Sequence, residues 1–519
     1  DLDNGIDCLI AAIKNNEIIG ILGDYDVDGA TSSSILKLFF DHYHIKSEIY
    51  IPDRLKEGYG PNKSAIDGFL DKGVKTFITV DCGATSIDVM DYADSKSMKA
   101  IIIDHHKVDE PLPKCSAHIN PSRKEDDSFL NDLAAVGLTF IFIVGLRRAI
   151  RELSLYPDII EPSLKQYLDL VALGTVCDVV QLKGLNRAFV KEGIDVIAKK
   201  QRLGIEGLRA ISSSKDIGVT ELGFRIGPRI NAAGRTGASD LGFRLLTSQS
   251  DDEVMAISER LNNLNQQRQN IEQTVLFEAT NIIEEELASK KLNSIPNSIV
   301  VNGEGWHLGV LGIVASRLKE KYYRPSFVVS TNDGISTGSA RSVSGIDVGE
   351  LIIDAVNRGI LNSGGGHKMA GGFSLDSSRF DEFKEFCEKK IFDKADESTL
   401  KKINLYDDII DSSIINRDLY DLIKLASPYG QGNPEPQFII KNAEIDYWSE
   451  VGTGHLRVKL SNANYGSIDA IAFGSKGTPV GDLIMNHSGG LFHIAGVIKK
   501  NDWQGNKAVQ FHIRDLFTG

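Results

Sequence analysis

The sequence predicts an α/β protein in which a doubly wound parallel sheet is followed by a long helix, a second α/β domain and a small β-barrel. Short apolar runs alternate with amphipathic stretches up to about residue 180, which is typical of a parallel sheet covered by helices on both faces. One long polar segment then separates this region from a second alternating region. Beyond about residue 404 the pattern changes to short strands with Gly and Asn turns, which indicates a barrel.

Buried strands rich in Ile, Val and Phe are predicted in the first region, at residues 18–22, 48–51, 76–80 and 100–103. Amphipathic segments between them, such as 32–42 and 64–72, predict the covering helices. A helical region from about 131 to 211 follows. Ligands of such sheets bind beyond the carboxyl ends of the strands, so the residues at those ends are the candidates for function.

The rest of the chain divides into three further parts. Residues 251–291 predict one polar helix, and a helix of this polarity usually bridges domains. A second α/β unit at 295–395 is predicted to contain strands at 298–302 and 326–330 and a helix at 310–322. Barrel strands are predicted at 455–460, 467–473, 491–499 and 509–515. The predicted domains are therefore 1–250, 251–291, 292–398 and 399–519.

Bulk composition excludes several classes of protein. No stretch comes near the roughly 18 consecutive apolar residues that a membrane span needs. The five cysteines are scattered without a CxxC pair, which argues against a disulfide framework or a zinc site and favours a reducing compartment. The net charge of −13 argues against a protein that coats nucleic acid non-specifically. The chain begins at Asp1 without a signal peptide, so we expect a missing N-terminal stretch and a cytoplasmic location.

Acidic and histidine side chains follow four apolar runs, each at the point where the run ends. These side chains are Asp24, Asp26 and Asp28; Asp81; Asp104, His105 and His106; and, after the run 170–176, Asp178. If the four runs end at one edge of the sheet, the groups converge on one crevice. So many carboxylates together would be prohibitive without cations. Mixed carboxylate and imidazole ligands suit Mn²⁺, with Mg²⁺ as the alternative.

Each of these positions has a simpler interpretation when it is taken alone. An aspartate at a strand-to-helix turn is often only a helix N-cap, and a His-His pair is more often incidental than ligating. A calcium-binding EF-hand loop starting at Asp24 fails, because Ile35 stands where the last ligand should be. The joint occurrence at four successive runs favours a pair of divalent cations that activate a water and stabilise a phosphoryl group.

Four segments resemble the four successive motifs of the DHH phosphoesterase family, at residues 24–29, 81–83, 104–106 and 174–178. The resemblance implies one metal held by Asp28, Asp81, His105 and Asp178, and a second held by Asp26 and Asp81 with Asp24. It also implies that His106 faces the scissile phosphate and that Asp104 orients the histidine loop. None of the family's ligands is missing, which favours an active enzyme with Asp81, His106 and Arg229 as its catalytic residues.

Further segments resemble the branch of this family that degrades single-stranded DNA from the 5′ end, at residues 227–235, 306–317, 338–342 and 364–372. The resemblance implies that Arg54, Ser339 and Arg341 bind the terminal 5′ phosphate, a task that suits the guanidinium group. It assigns contacts with backbone phosphates or the scissile group to Arg229 and Arg235, and a contact with a nearby phosphate or sugar to Asn231. The glycines of 364–372 would let backbone N–H groups approach an anion closely, with His367 as an added donor. Simpler interpretations stay open: surface ion pairs for Arg54 and Arg341, buried pairing with an acid for Arg229 and Arg235, and tight turns around His367.

The resemblance implies an enzyme that releases 5′-mononucleotides from single-stranded DNA in recombination and repair, with a single-stranded-DNA-binding protein and a RecQ-type helicase as partners. The C-terminal part would be an oligonucleotide-binding barrel, most of whose aromatic rings are expected in its core, with one or two exposed to stack bases. Two alternatives remain. A phosphodiesterase for short RNA or cyclic dinucleotides is typically a shorter chain without the barrel, and a non-catalytic replication scaffold is expected to lack ligands.

Overall fold

The structure is a computed structural model that describes residues 1–108, 110–212, 217–234, 237–289, 295–332, 334–396, 398–462, 466–487, 489–501 and 508–518. For residues 55, 462 and 466 it describes the backbone alone. The chain forms two compact units, one made of residues 1–261 and 405–519 and the other of residues 262–404. No helix in the described ranges combines the length and the apolar character that crossing a bilayer would require.

The first unit contains a five-stranded, fully parallel sheet in the order β2-β1-β3-β4-β5. Its strands are β1 (Ile19–Gly23), β2 (Ser47–Tyr50), β3 (Thr76–Val80), β4 (Lys99–Ile103) and β5 (Ala117–Ile119). The predicted parallel sheet is confirmed, and four of the strands lie where the apolar runs placed them. The fifth strand was not predicted, because three residues are too few to show a pattern.

Twelve helices in the described residues surround or extend this sheet. They are α1 (Leu2–Lys14), α2 (Val27–His42), α3 (Arg54–Glu57), α4 (Lys63–Asp71), α5 (Ile87–Ser95), α6 (Ala135–Glu152), α7 (Leu168–Cys177), α8 (Gly184–Ile197), α9 (Leu203–Ser212), α10 (Val219–Glu221), α11 (Gly227–Ala233) and α12 (Leu241–Thr247). On α4 and α5, Phe69 and Met90 pack in one apolar cluster with Phe77 of β3. Helix α2 packs against β1, α6 and α7.

Residues 170–176, which were grouped with the strand ends, belong to helix α7, so that part of the prediction was wrong. The helix is buried from Leu168 to Val176 and packs against α2, α6 and α8. A helix that is buried on every side is apolar on every side, so its sequence shows no helical period. Asp178 consequently lies at the C-terminal end of a helix and not at the end of a strand.

The second unit begins within a 39-residue helix, α13 (Asp251–Ser289). Its sheet has the order β6-β7-β8-β10-β9, in which only β6 and β7 are parallel. The strands are β6 (Ile299–Glu304), β7 (Ser326–Asn332), β8 (Ile335–Arg341), β9 (Ser363–His367) and β10 (Ala370–Asp376). The helices are α14 (Leu308–Tyr322), α15 (Val348–Asn357) and α16 (Phe380–Lys394). The glycine-rich segment 364–372 thus forms the hairpin β9–β10 at the sheet edge.

The C-terminal residues form the predicted barrel, which closes because β12 pairs with both β13 and β15. Its elements are β11 (Asp408–Ile409), α17 (Arg417–Leu425), β12 (Phe438–Val451), β13 (His455–Asn462), β14 (Gly466–Ala472), α18 (Pro479–Met485), β15 (Phe492–Asn501) and β16 (Ala508–Thr518). The long strand β12 was not predicted, because irregular register near Ile440 and Ile445 interrupts its alternating pattern.

The described aromatic side chains of the barrel include buried, half-buried and exposed rings. Phe492 and Phe511 are buried in the barrel core, and the half-buried Trp448 packs against it. Tyr447 and Phe473 are exposed. Two further aromatic candidates, Tyr465 and Trp503, lie outside the described residues.

Candidate metal centre

The first aspartate cluster forms the turn between β1 and α2. The Oδ1 atom of Asp26 accepts a hydrogen bond from the Gly29 N–H group at 3.1 Å, so Asp26 is the N-cap of α2. The turn is tight, since a Cβ atom on Gly29 would lie 2.4 Å from the backbone oxygen of Asp24. Asp26 is therefore a helix N-cap, as the simpler interpretation proposed. Its carboxylate also lies close enough to those of Asp24 and Asp81 for the three to hold one metal ion.

Asp28 is held by a helix other than its own. Its carboxylate accepts hydrogen bonds from the N–H groups of Ala135 at 2.7 Å and Val136 at 2.9 Å. These N–H groups belong to the first turn of α6, where the helix itself offers no acceptor, and a helix N-terminus stabilises an anion. Helix α6 has no side-chain cap from its own N-cap residue, so the buried Asp28 serves as its cap. Sequence reasoning missed this contact.

Asp104 organises the histidine loop that follows β4. Its Oδ1 atom accepts hydrogen bonds from the N–H groups of His105 at 2.8 Å and His106 at 3.1 Å, and it lies 2.7 Å from Nδ1 of His106. Its Oδ2 atom accepts a hydrogen bond from the Ala84 N–H group at 3.0 Å. These contacts are those expected of a residue that orients the two imidazoles.

Asp104 and His106 form an ion pair. Burial alone would raise the pKa of Asp104 and lower that of His106. The hydrogen bond and the opposite charges outweigh burial, so the pKa of Asp104 is lowered and the pKa of His106 is raised. His106 is therefore favoured in its protonated form, with a proton on Nδ1 directed at Asp104.

His105 is neutral and lies among carboxylates. Burial, followed by the charge of His106, lowers the pKa of His105 to about 4. Its Nε2 atom lies 3.3 Å from Oδ1 of Asp81, 3.6 Å from Oδ2 of Asp178 and 3.9 Å from Oδ2 of Asp28. A neutral imidazole forms no salt bridge with these oxygens, and its Nε2 atom has no hydrogen-bond partner within the described residues.

Several buried polar atoms of this centre have no hydrogen-bond partner within the described part of the chain. They are Oδ1 of Asp24, Oδ1 of Asp81, Nε2 of His105 and Oδ2 of Asp178. Unpaired buried polar atoms are costly, and a coordinated cation satisfies them. The negative end of helix α7, beside Asp178, also favours a cation. These residues therefore fit divalent metal ions.

The six predicted ligands come together in overlapping groups of three residues whose potential ligand atoms lie close to one another. Asp24, Asp26 and Asp81 form one group, and Asp28, His105 and Asp178 form another. Asp81 also lies in a group with His105 and His106. Oxygen ligands with one or two imidazole nitrogens suit Mn²⁺ and Mg²⁺.

Without cations the carboxylates resist ionisation. Burial, followed by the neighbouring Asp26, raises the pKa of Asp24 to about 8 and that of Asp28 to about 7. Burial and then Asp28 also raise the pKa values of Asp81 and Asp178. In the unfolded chain these groups titrate near 3.8, so the folded state binds more protons than the unfolded state between about pH 4 and pH 8.

We expect the metal-free protein to lose stability as the pH rises from about 4 to about 8. Raised carboxyl pKa values stabilise the fold at low pH, and this contribution is lost as pH rises through about 7 and about 8. Each extra proton held by the folded state lowers the free energy of unfolding by about 1.4 kcal/mol per pH unit. Melting temperatures in EDTA measure the effect, and excess Mn²⁺ should reverse the trend because cations bind the ionised groups. A melting temperature in EDTA that does not fall over this range would contradict the crowding of these carboxylates.

The remaining predicted residues of the first unit lie as follows. Arg54 is exposed, and its guanidinium carbon stands 4.9 Å from the centre of the Tyr25 ring. Arg54 makes no ion pair within the described ranges, and its charge lowers the pKa of Asp24. Arg229 donates from Nη1 to the carbonyl oxygen of Arg225. The Oδ1 atom of Asn231 accepts a hydrogen bond from a backbone N–H group of the aspartate turn, and Arg235 lies outside the described residues.

In the second unit, Ser339 and Arg341 lie on the same face of β8. The Nη1 atom of Arg341 donates to Oγ of Ser339 at 3.3 Å and to the Ala340 carbonyl oxygen at 2.8 Å. Burial lowers the pKa of Arg341, and no carboxylate pairs with it in the described part of the chain. The surface ion pair considered for Arg341 is therefore not observed there. His367 is exposed at the end of β9, and its Nδ1 atom accepts a hydrogen bond from the Met369 N–H group.

Sequence reasoning missed three polar residues of the centre. The Tyr59 hydroxyl donates to the Asp81 carbonyl oxygen at 2.9 Å and lies 3.3 Å from Nδ1 of His106. The side chains of Asn120 and Ser122 donate to the carbonyl oxygens of His106 and His105. Asn120 directly follows β5, but this strand is too short to be recognised from the sequence, so the rule of polar residues after buried strands did not reach Asn120. Tyr59 follows no strand and carries no comparable signal.

Comparison with known protein families assigns a family domain to each of three parts of the chain. Residues 18–175 match the N-terminal domain of the DHH family, and residues 296–392 match the DHHA1 domain. Residues 406–515 match the RecJ OB domain. The three matches follow the order of the parallel sheet, the second sheet and the barrel.

Individual relatives match nearly the whole chain. The single-stranded-DNA-specific exonuclease RecJ of Haemophilus influenzae is 32% identical over 98% of this chain and 89% of its own length. The structure of RecJ from Thermus thermophilus in complex with Mn²⁺ has a TM-score of 0.82 at 28% identity, covering all of this chain and 72% of that one. The corresponding complex with Mg²⁺ has a TM-score of 0.75 at 26% identity and covers 70% of that chain.

Proposed function

The chain belongs to the RecJ family of single-stranded-DNA-specific exonucleases, and we propose that it hydrolyses single-stranded DNA from the 5′ end with the help of two divalent cations. The observation that carries the proposal is the convergence of five aspartates and His105, several of whose buried atoms have no hydrogen-bond partner in the described residues. The relatives with bound Mn²⁺ and Mg²⁺ support the choice of cation.

Within this proposal, one ion is held by Asp28, Asp81, His105 and Asp178, and the other by Asp24, Asp26 and Asp81. Bound divalent cations supply Lewis acidity, which activates a water molecule and stabilises the charge that builds on the phosphoryl oxygens. The protein keeps the ligands rigid. The first turn of α6 holds the Asp28 carboxylate, and Asp104 holds the loop that carries His105.

His106 has a separate role in the proposal. Its contact with Asp104 fixes the ring and raises the pKa of the imidazole, which favours the form in which Nε2–H can donate to a phosphate oxygen. Such a donor stabilises charge that develops during hydrolysis. Arg229, which is half-buried and positively charged, is proposed to bind the scissile phosphate or a neighbouring one.

Preference for the 5′ end is attributed to arginines that bind the terminal phosphate. Arg341 supports this assignment, because it is partly desolvated and has no acidic partner within the described residues. Ser339 lies beside it and adds a hydroxyl donor. Arg54 is retained as a candidate phosphate contact, because it is exposed and makes no ion pair in the described ranges. Arg235 and His367 are retained as candidate phosphate contacts.

The proposal is tested with a single-stranded oligonucleotide labelled at one end, incubated with Mn²⁺, Mg²⁺ or EDTA. We expect Mn²⁺- or Mg²⁺-dependent release of 5′-mononucleotides, beginning at the 5′ end, and little degradation of duplex. Release from the 3′ end first, or equal degradation of duplex, would refute the proposed polarity or strand preference. Hydrolysis of cyclic dinucleotides or short RNA in preference to DNA would favour the alternative phosphodiesterase.

Cellular context belongs to the proposal as well. We place the enzyme in recombination and repair, as the family resemblance implies, and in the cytoplasm. The same resemblance implies two partners, a single-stranded-DNA-binding protein and a RecQ-type helicase. The exposed Tyr447 and Phe473 of the barrel offer stacking surfaces for bases of a bound strand. Co-purification of the two partners with the full chain would test that part.

A further inference from the structure

Residues 222–234 contact three residues that each adjoin a candidate metal ligand. This segment, which we call the brace, consists of a π-helical turn (Leu222–Ile226), helix α11 and Gly234. The contacted residues are Tyr25, Val27 and Cys177. Tyr25 and Val27 alternate with the aspartates of the first cluster, and Cys177 precedes Asp178. π-Helical turns are frequent at functional sites.

The first contact is a hydrogen bond to the aspartate turn. The Val27 N–H group, at the start of α2, has no acceptor within its own helix. The Oδ1 atom of Asn231 accepts this hydrogen bond at 3.0 Å. Because Val27 stands between Asp26 and Asp28, the bond fixes the backbone from which both carboxylates project.

The second contact is a close approach at the end of the brace. A Cβ atom on Gly234 would lie 2.1 Å from Cδ2 of Tyr25, so the Tyr25 ring packs directly against the backbone of Gly234. Only glycine leaves room for the ring in this position. Tyr25 stands between Asp24 and Asp26, so any displacement of the ring is transmitted to both.

The third contact reaches the end of α7. A Cβ atom on Gly227 would lie 2.3 Å from Sγ of Cys177, and the Cys177 thiol donates to the Leu222 carbonyl oxygen at 3.5 Å. The brace therefore touches both the aspartate turn and the residue before Asp178. These two places are far apart in the sequence and supply ligands to the same centre.

We propose that the brace sets the distance between the aspartate turn and Asp178, and that Asn231 is a positioning residue for the divalent cations and not a contact of the DNA strand. The inference rests on the proposed metal-dependent activity. The Oδ1 atom of Asn231 accepts its hydrogen bond from Val27, so the side chain is oriented by the aspartate turn itself. Residues that orient metal ligands typically change metal affinity about 10- to 100-fold when they are replaced.

Calorimetric titration of the full chain with Mn²⁺, without DNA, tests the proposal. Asn231→Leu, which has a similar size but no acceptor, should weaken Mn²⁺ binding about 10- to 100-fold. Asn231→Asp should bind Mn²⁺ at least as well as the wild type, because it keeps an acceptor oxygen and adds a negative charge. Hydrogen exchange of the Val27 amide should be faster in Asn231→Leu and protected in Asn231→Asp.

Matched variants separate the outcomes. Gly234→Ala should also weaken Mn²⁺ binding, whereas Gly68→Ala should not, because a methyl group at Gly68 meets no atom within 4 Å. If Asn231→Leu does not fold, Gly234→Ala answers the same question, and wild-type Mn²⁺ affinity in Gly234→Ala would then refute the brace. If Asn231→Leu folds, binds Mn²⁺ as the wild type does and binds single-stranded DNA more weakly in EDTA, Asn231 is a DNA contact and the proposal is wrong. Absence of Mn²⁺ binding by the wild type would instead refute the proposed function.

Discussion

Replacing Asp81 by asparagine is expected to reduce kcat by at least about a thousandfold, which corresponds to about 4 kcal/mol of activation free energy. Asp81 belongs to the group with Asp24 and Asp26 and also to the group with His105 and His106. Its loss therefore removes a ligand from both proposed ions, and cations are the proposed source of charge stabilisation during hydrolysis. Single-turnover cleavage of a 5′-labelled oligonucleotide at saturating Mn²⁺ measures the effect.

The same variant should be more stable than the wild type in EDTA. Burial and the neighbouring aspartates raise the pKa of Asp81, so ionisation of this group destabilises the metal-free fold. Asparagine has the same shape without the charge. Asp71→Asn, at an exposed aspartate, serves as the matched control and should change neither activity nor stability. Activity of Asp81→Asn within about tenfold of the wild type would remove Asp81 from its proposed role.

Arg341→Ala is expected to reduce kcat/KM on 5′-phosphorylated single-stranded DNA by about 30- to 100-fold and to have little effect on DNA with a 5′ hydroxyl. Removing one partner of a desolvated, charge-assisted contact typically costs about 2–3 kcal/mol. Arg341 fits such a contact, because it is partly buried beside Ser339 and has no carboxylate partner within the described residues. Parallel assays on the two substrates measure the ratio.

Two further arginine variants make this test specific. Arg341→Lys keeps the charge but loses the planar fork, so it should recover only part of the lost discrimination. Arg358→Ala is the matched control, because Arg358 of the same unit is exposed and already paired with Asp354. Equal losses on both substrates would assign Arg341 to the fold or to a general phosphate contact and would leave the 5′ preference unexplained.

Local patterns were sufficient for the architecture and for the set of candidate ligands. Apolar runs of four or five residues between amphipathic segments identify buried parallel strands, because such strands are covered on both faces. The carboxyl ends of parallel strands meet at one edge, so Asp24, Asp81 and His105 were predicted to converge without any coordinates. Chain direction and residues that are near one another in sequence are sufficient for both conclusions.

The errors and omissions occur where contacts join distant parts of the chain. Residues 170–176 carry no helical period because their environment is apolar on every side, so they were grouped with the strand ends although they lie within the predicted helical region 131–211. Strand β12 was missed because irregular pairing interrupts its alternation. The capping of α6 by Asp28 links segments more than a hundred positions apart, and no local pattern encodes it.

Sequence patterns were enough to predict the fold class, the family and the acidic and imidazole side chains that gather at one place. Tertiary structure alone decided how those side chains are held: Asp28 by the start of α6, His106 by its ion pair with Asp104, and the aspartate turn by Asn231. The physical reason is that secondary-structure periodicity is a property of neighbouring residues, whereas hydrogen-bond partners and close packing depend on the three-dimensional path of the whole chain.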